Sequence, residues 1–141
     1  MKSFSAILSS GIGQRQILQK NAFVDRLMPL AVKEKLAPEV MAQYRGPFPT
    51  PQSRAGVAEF PRQLVRAWGF LNELAADVPR TLGEKPLLLT WGMSDLAFPL
   101  SYMDRFRLDF DDVHIERLDA KHYIQEDRPA EIAEAIEAFL G

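Results

Sequence analysis

The stretch Pro86-Leu87-Leu88-Leu89-Thr90-Trp91-Gly92-Met93-Ser94-Asp95 decides how this chain is read. From Pro86 to Trp91 it is a short, nearly continuous apolar run, and Gly92 ends it. A run of that length, bounded by proline and glycine, reads as a buried strand of a parallel sheet. Asp95 then falls just beyond the strand's carboxyl end, where ligand chemistry gathers in open α/β sheets. A turn or helix-cap aspartate is the commoner occupant of such a loop, so position alone leaves both roles open.

Toward the C-terminus the pattern repeats. Pro99 to Arg107 reads as helix, and Val113-His114-Ile115-Glu116-Arg117-Leu118 alternates apolar and polar like a strand. His122 lies just beyond that second strand. Pro129 opens a last helix whose apolar stripe is Ile132, Ala133, Ile136, Phe139 and Leu140. Strand, helix, strand, helix implies parallel βαβ topology. Adjacent parallel strands would bring His122 to Asp95, and such a pair suits a base whose tautomer a carboxylate holds. A surface or packed histidine is the competing account. His114, inside a strand, is expected to point away from the core.

Toward the N-terminus, residues 1 to about 80 read as helices and turns. Ile17, Leu18, Asn21, Val24, Asp25 and Met28 share helical spacing, with Pro29 near that helix's end. Pro38 suits the first turn of a short helix through Tyr44. The run Arg45-Gly46-Pro47-Phe48-Pro49-Thr50-Pro51 admits neither helix nor central strand. Ser53 is placed to cap a short helix over 54–58. A longer helix is expected from Pro61, with Leu64, Val65, Trp68, Leu71 and Leu74 on one face and Trp68 in the core. Only two strands are visible, and two strands rarely make a stable sheet. The pattern therefore implies a larger sheet than these residues contain.

Composition narrows the function classes. The 141 residues are 47% hydrophobic and 26% charged, a balance that forms a core rather than disorder. A formal net charge of −2 offers no basic footprint for nucleic acid. No cysteine is present, which excludes disulfides, thiolate metal sites and a cysteine nucleophile and fits a reducing compartment. The opening Met1-Lys2-Ser3-Phe4-Ser5-Ala6-Ile7-Leu8 has an apolar run too short for a signal peptide, and no run approaches a membrane span. A cytoplasmic location is expected. Asp109, Asp111 and Asp112 crowd one turn without calcium-loop spacing or a histidine, so no metal site is expected. Gly11-Ile12-Gly13 lacks the strand and the further glycines of a phosphate loop, and no cofactor is expected.

Several of these segments together resemble the haloalkane dehalogenase group of the α/β-hydrolases. Trp91-Gly92-Met93-Ser94-Asp95 is similar to the acid-bearing loop of many hydrolases. His122-Tyr123-Ile124-Gln125-Glu126-Asp127-Arg128-Pro129, with Glu131-Ile132, resembles that group's histidine segment, often H-F-x-Q-E-D-x-P-x-x-I. Asn21-Ala22-Phe23-Val24, Met41-Ala42-Gln43-Tyr44-Arg45-Gly46-Pro47-Phe48, Arg54 and Phe60-Pro61-Arg62 resemble its lid in order. The resemblance covers nearly the whole chain. It implies a helical cap over residues 1–80 and the C-terminal part of an α/β-hydrolase core over residues 81–141. It implies Asp95 as triad acid and His122 as general base, with Leu96, Tyr123 and Phe48 bordering the pocket of a small hydrophobic substrate. Lys121 departs from the glycine that precedes the histidine in many hydrolases.

The larger departure is that the 141 residues hold no G-x-[S/D]-x-G nucleophile elbow. The resemblance thus implies a fragment, a shortened reading frame or one piece of a split hydrolase, inactive alone and needing an N-terminal hydrolase half. The unpaired edge of the apolar run Leu87 to Trp91 otherwise predicts self-association, most simply as a homo-oligomer. A β-lactone decarboxylase, an epoxide or ester hydrolase, and a non-catalytic interaction module are the alternatives.

Overall fold

The computed structural model describes residues 2–141, with side chains from residue 5 onward. Met1, which opens the leader-like stretch, lies outside them. The chain divides into two compact units. One takes in the chain up to Leu30 together with Lys35–Leu71, and the other comprises Ala31–Glu34 and Asn72–Gly141.

The first unit is helical: α1 (Lys2–Ser9), α2 (Gly11–Lys20), a π turn (Phe23–Leu27), α3 (Met28–Leu30), α4 (Pro38–Arg45), a 3-10 turn (Gln52–Arg54), α5 (Ala55–Arg66) and the start of α6 (Trp68–Leu82). Ser10 caps α2, its hydroxyl accepting from the Gly13 amide at 3.1 Å. The expected single helix through residues 17–28 is broken at Asn21. That residue adopts φ 48°, the left-handed cap that asparagine tolerates better than other non-glycine residues. Ile17, Val24 and Met28 are nonetheless buried, so the apolar spacing survives the break. Buried Gln14 ties α2 to α5 by donating to the Ala58 carbonyl at 2.7 Å. Arg54 donates to the carbonyls of Leu18 (2.7 Å) and Phe48 (3.0 Å), fixing the proline-rich turn against the end of α2.

Three expectations fail here. Ser53 caps no helix; it exchanges hydrogen bonds with Thr50, accepting from the Thr50 amide at 3.1 Å and donating to its carbonyl at 2.8 Å. The long helix does not begin at Pro61, because α5 runs through that buried proline and the break falls at Ala67. Proline removes one intrahelical bond, and the apolar burial of Pro61 and Ala58 outweighs it. Trp68 is 48% exposed rather than core.

In the second unit α6 ends, then follow β1 (Leu87–Gly92), α7 (Leu100–Asp109), β2 (Val113–Leu118), α8 (Ile124–Asp127) and α9 (Pro129–Leu140). The strands pair in parallel, Leu87 opposite Val113 through Gly92 opposite Leu118, as strand–helix–strand order requires. Among the described residues the sheet has these two strands. Helix α9 packs on both of them. Leu118 and Ala120 are fully buried, with Met103 and Val32 nearly so. Leu87 to Trp91, expected to be buried on both faces, are only half-buried, since β1 has one neighbouring strand. His114 is exposed as expected; its Nε2 lies 3.2 Å from Asp112 Oδ1, and its ring meets Phe139 edge-on.

Candidate functional site

The two strands end side by side, and their following loops are sewn together. The Met93 amide donates to the Leu118 carbonyl and the Ser94 amide to the Ala120 carbonyl, each at 2.9 Å. This approach depends on Gly92, which is buried at the end of β1. A Cβ there would stand 2.2 Å from the Lys121 carbonyl oxygen, 2.9 Å from that of Ala120 and 3.1 Å from Ile124 Cγ2. The glycine of Trp-Gly-x-x-Asp is therefore a close-approach glycine: its missing side chain lets the histidine-bearing loop lie against β1.

Asp95 and His122 meet across these loops, with His122 Nδ1 2.9 Å from Asp95 Oδ2. The other carboxylate oxygen accepts from the amides of Ala97 (2.7 Å) and Phe98 (3.1 Å), an aspartate turn closing on its own backbone. A carboxylate only accepts. In the neutral ring Nδ1 is accordingly the donor to Oδ2, and Nε2 carries the lone pair. The Asp95 side chain is 8% exposed and that of His122 36%, so the acid is enclosed while the ring keeps an open side. The pair can thus hold an imidazole in one tautomer and offer Nε2 as a base.

Aromatic rings frame the imidazole. Phe98 lies 5.4 Å from it, tilted by 30°, and Tyr123 lies 5.4 Å away on edge. The Trp91 indole donates to the Phe98 carbonyl at 3.1 Å, anchoring the loop that carries Phe98. Burial pushes the Tyr123 phenol above its ordinary value of 10.0 by disfavouring the phenolate.

Of the other expected pocket residues, Leu96 follows Asp95 in the chain but is 96% exposed. Phe48 belongs to the first unit and is half-buried. Phe98 was not singled out from the sequence, although an aspartate followed by amides two and three residues on is a local pattern that could have found it. The roles of Asp127 and of the 31–33 segment had no local signal. Asp127 accepts from the amides of Lys121 and Lys33, each at 2.8 Å, and the Tyr123 amide donates to the Ala31 carbonyl at 3.1 Å. Lys33 also pairs with Asp119, and this hydrogen bond, together with the charges of Lys33 and Arg128, holds the exposed Asp119 carboxyl below its ordinary range.

Among the described residues no group of three or more His, Cys, Asp or Glu is arranged to hold a metal ion. Asp109 pairs with Arg105 at 3.0 Å, and Asp112 Oδ1 lies 3.2 Å from His114 Nε2. No helix among the described residues is long and apolar enough to cross a membrane.

No protein-family model matches the chain. It is 47% identical over 143 aligned residues to haloalkane dehalogenase 2 of Mycobacterium tuberculosis, a match covering 100% of this chain and 50% of that protein. A haloalkane dehalogenase of Bradyrhizobium diazoefficiens is 34% identical across 98% of this chain and 46% of its own length. The chain spans about half the length of the curated relatives it matches. The crystal structure of haloalkane dehalogenase DbeA from Bradyrhizobium elkani superposes with a TM-score of 0.87 at 27% identity, over 97% of this chain and 49% of that one.

Proposed function

The chain is a haloalkane dehalogenase-like α/β-hydrolase chain matching the C-terminal half of those proteins, and from that premise we propose that it supplies the acid and the base of a hydrolytic dehalogenation. On this reading a nucleophilic carboxylate from outside these 141 residues displaces halide from a small haloalkane. Halide leaves with its bonding electrons, and an alkyl-enzyme ester forms. His122 Nε2 then takes a proton from water, and the resulting hydroxide attacks the ester carbonyl. The alcohol departs, the carboxylate is regenerated, and the imidazolium returns its proton to solvent. Asp95 keeps His122 in the Nδ1–H tautomer and stabilises the imidazolium that this step creates.

The observation that carries the reading is the 2.9 Å approach of His122 Nδ1 to Asp95 Oδ2 beyond the carboxyl ends of adjacent parallel strands. Residues 1–80 serve as the helical cap and residues 81–141 as the C-terminal part of the core. Tyr123 and Phe98 border the substrate beside the base. The partner is the N-terminal half of such a hydrolase.

A chimera tests this: residues 1–141 replace the matching half of the mycobacterial relative, and halide release from a short haloalkane is followed. Turnover is expected. His122→Ala in the chimera should release about one halide per protein and then stop, leaving an alkyl adduct visible by intact mass. Steady turnover by the His122→Ala chimera would refute the assignment.

A further inference from the structure

The amides on both sides of His122 are committed to partners outside its own loop. That of Tyr123 donates to the Ala31 carbonyl at 3.1 Å, and that of Lys121 donates to Asp127 Oδ2 at 2.8 Å. The second oxygen of the same carboxylate, Oδ1, accepts from the Lys33 amide at 2.8 Å. One side chain therefore bridges the histidine loop to the segment that holds the loop's other side.

We propose that Asp127 is a positioning residue for His122, its carboxylate clamping the backbone of residue 121 to that of residue 33 and so setting the imidazole against Asp95. The inference rests on the reading of Asp95 and His122 as acid and base. Asp127 does not touch the ring; it acts through the peptide that carries it. A capping role does not account for the residue. Helix α9 begins two residues later with Arg128 as its N-cap and no side-chain cap bond, and both Asp127 oxygens are spent on Lys33 and Lys121. Arg128 steadies the clamp by donating to the Asp127 carbonyl at 2.7 Å while its guanidinium reaches Asp119 (3.3 Å) and Glu131 (3.2 Å). Only a carboxylate fits this role. Two amide N–H groups need two acceptor oxygens, and an amide side chain would present an NH2 group to one of them. Hydrogen bonds to an ionised acceptor are also roughly twice as strong as neutral ones.

The test reads the imidazole itself in the 141-residue chain. Ring 15N shifts of His122 distinguish the Nδ1–H from the Nε2–H tautomer, a state that a merely structural residue would leave unchanged. The parent is expected to hold the Nδ1–H form. Asp127→Asn should lose that single state and show both tautomers, as should the control Asp95→Asn. Retention of the pure Nδ1–H form in Asp127→Asn while Asp95→Asn mixes would overturn the clamp and leave the acid–histidine pairing standing. An unchanged tautomer in Asp95→Asn would overturn the pairing and the clamp with it. Should Asp127→Asn fail to fold, the parent decides: through-bond couplings from the Lys33 and Lys121 amides to the Asp127 carboxyl carbon are expected, and their absence overturns the proposal.

Discussion

Gly92→Ala separates two opposite effects of one methyl group. Gly92 does not have a positive φ, so alanine meets no backbone strain there. If space were open, the substitution would stabilise the fold by about 0.4–1 kcal/mol through the unfolded chain. Space is not open. The added Cβ would sit 2.2 Å from the Lys121 carbonyl oxygen and 2.9 Å from that of Ala120, and both obstacles are backbone. Relief demands a shift of the 119–123 loop by about 1 Å to reach ordinary contact. Overpacking of this kind costs about 1–3 kcal/mol. The shift also loosens the Ser94 amide to Ala120 carbonyl bond, worth about 0.5–1.5 kcal/mol. Set against the unfolded-state gain, the terms leave a net loss of about 0.5–4 kcal/mol, centred on about 2 kcal/mol. Native-state hydrogen exchange at the paired amides of β1 and β2 reads this locally. At a tenfold rate change per 1.36 kcal/mol, the central value accelerates exchange about 30-fold. Slower exchange in Gly92→Ala than in the parent would show that the loop does not lie against β1, and would remove the geometric basis for the Asp95–His122 contact.

The unassisted 141-residue chain should release no halide from haloalkanes, because a nucleophile and its oxyanion hole supply most of the rate in this chemistry. Release above background that His122→Ala abolishes would refute this. Tyr123 should ionise above the ordinary tyrosine value in an alkaline ultraviolet titration, and Tyr123→Phe should delete that late step. Because its folded value is raised by burial, stability is undiminished below pH 10 and falls as pH rises through the folded value. Loss of a step at the ordinary value on Tyr123→Phe would contradict the burial.

The elements legible in the sequence were those whose signal is local and strong. Apolar continuity to Gly92 marked β1, alternation marked β2, and prolines at 38 and 129 marked the starts of α4 and α9. The parallel pairing followed from their order. What stayed hidden was set by tertiary context. Asn21 could sit on a helix face by spacing, but its left-handed backbone ends α2. Pro61 reads as a helix start, yet burial against its surroundings keeps α5 continuous through it. At the candidate site, the approach of His122 to Asp95 was legible because each lies just beyond the carboxyl end of a strand. The Asp127 clamp was not, since one of its partners lies 94 residues away and both are backbone amides, which no side-chain pattern announces.

On the proposed reading, the direction in which Nε2 points is settled before any nucleophile arrives. Asp95 cannot swing, because its second oxygen is held by the amides of Ala97 and Phe98. His122 cannot retreat, because the peptides on either side of it are tied to Ala31 and Asp127. The close contact at Gly92 sets how far apart the two loops stand. Each restraint acts on backbone, so orientation is paid for in folding rather than in the reaction, which is the source of rate that a fixed geometry provides. It follows that substitutions at Gly92 and Asp127 should lower turnover in the chimera chiefly at ester hydrolysis, where His122 acts, and leave halide release in the first turnover nearly unchanged. A first-turnover burst that fell in step with the steady rate would place their effect elsewhere, in substrate binding or in the docking of the two halves.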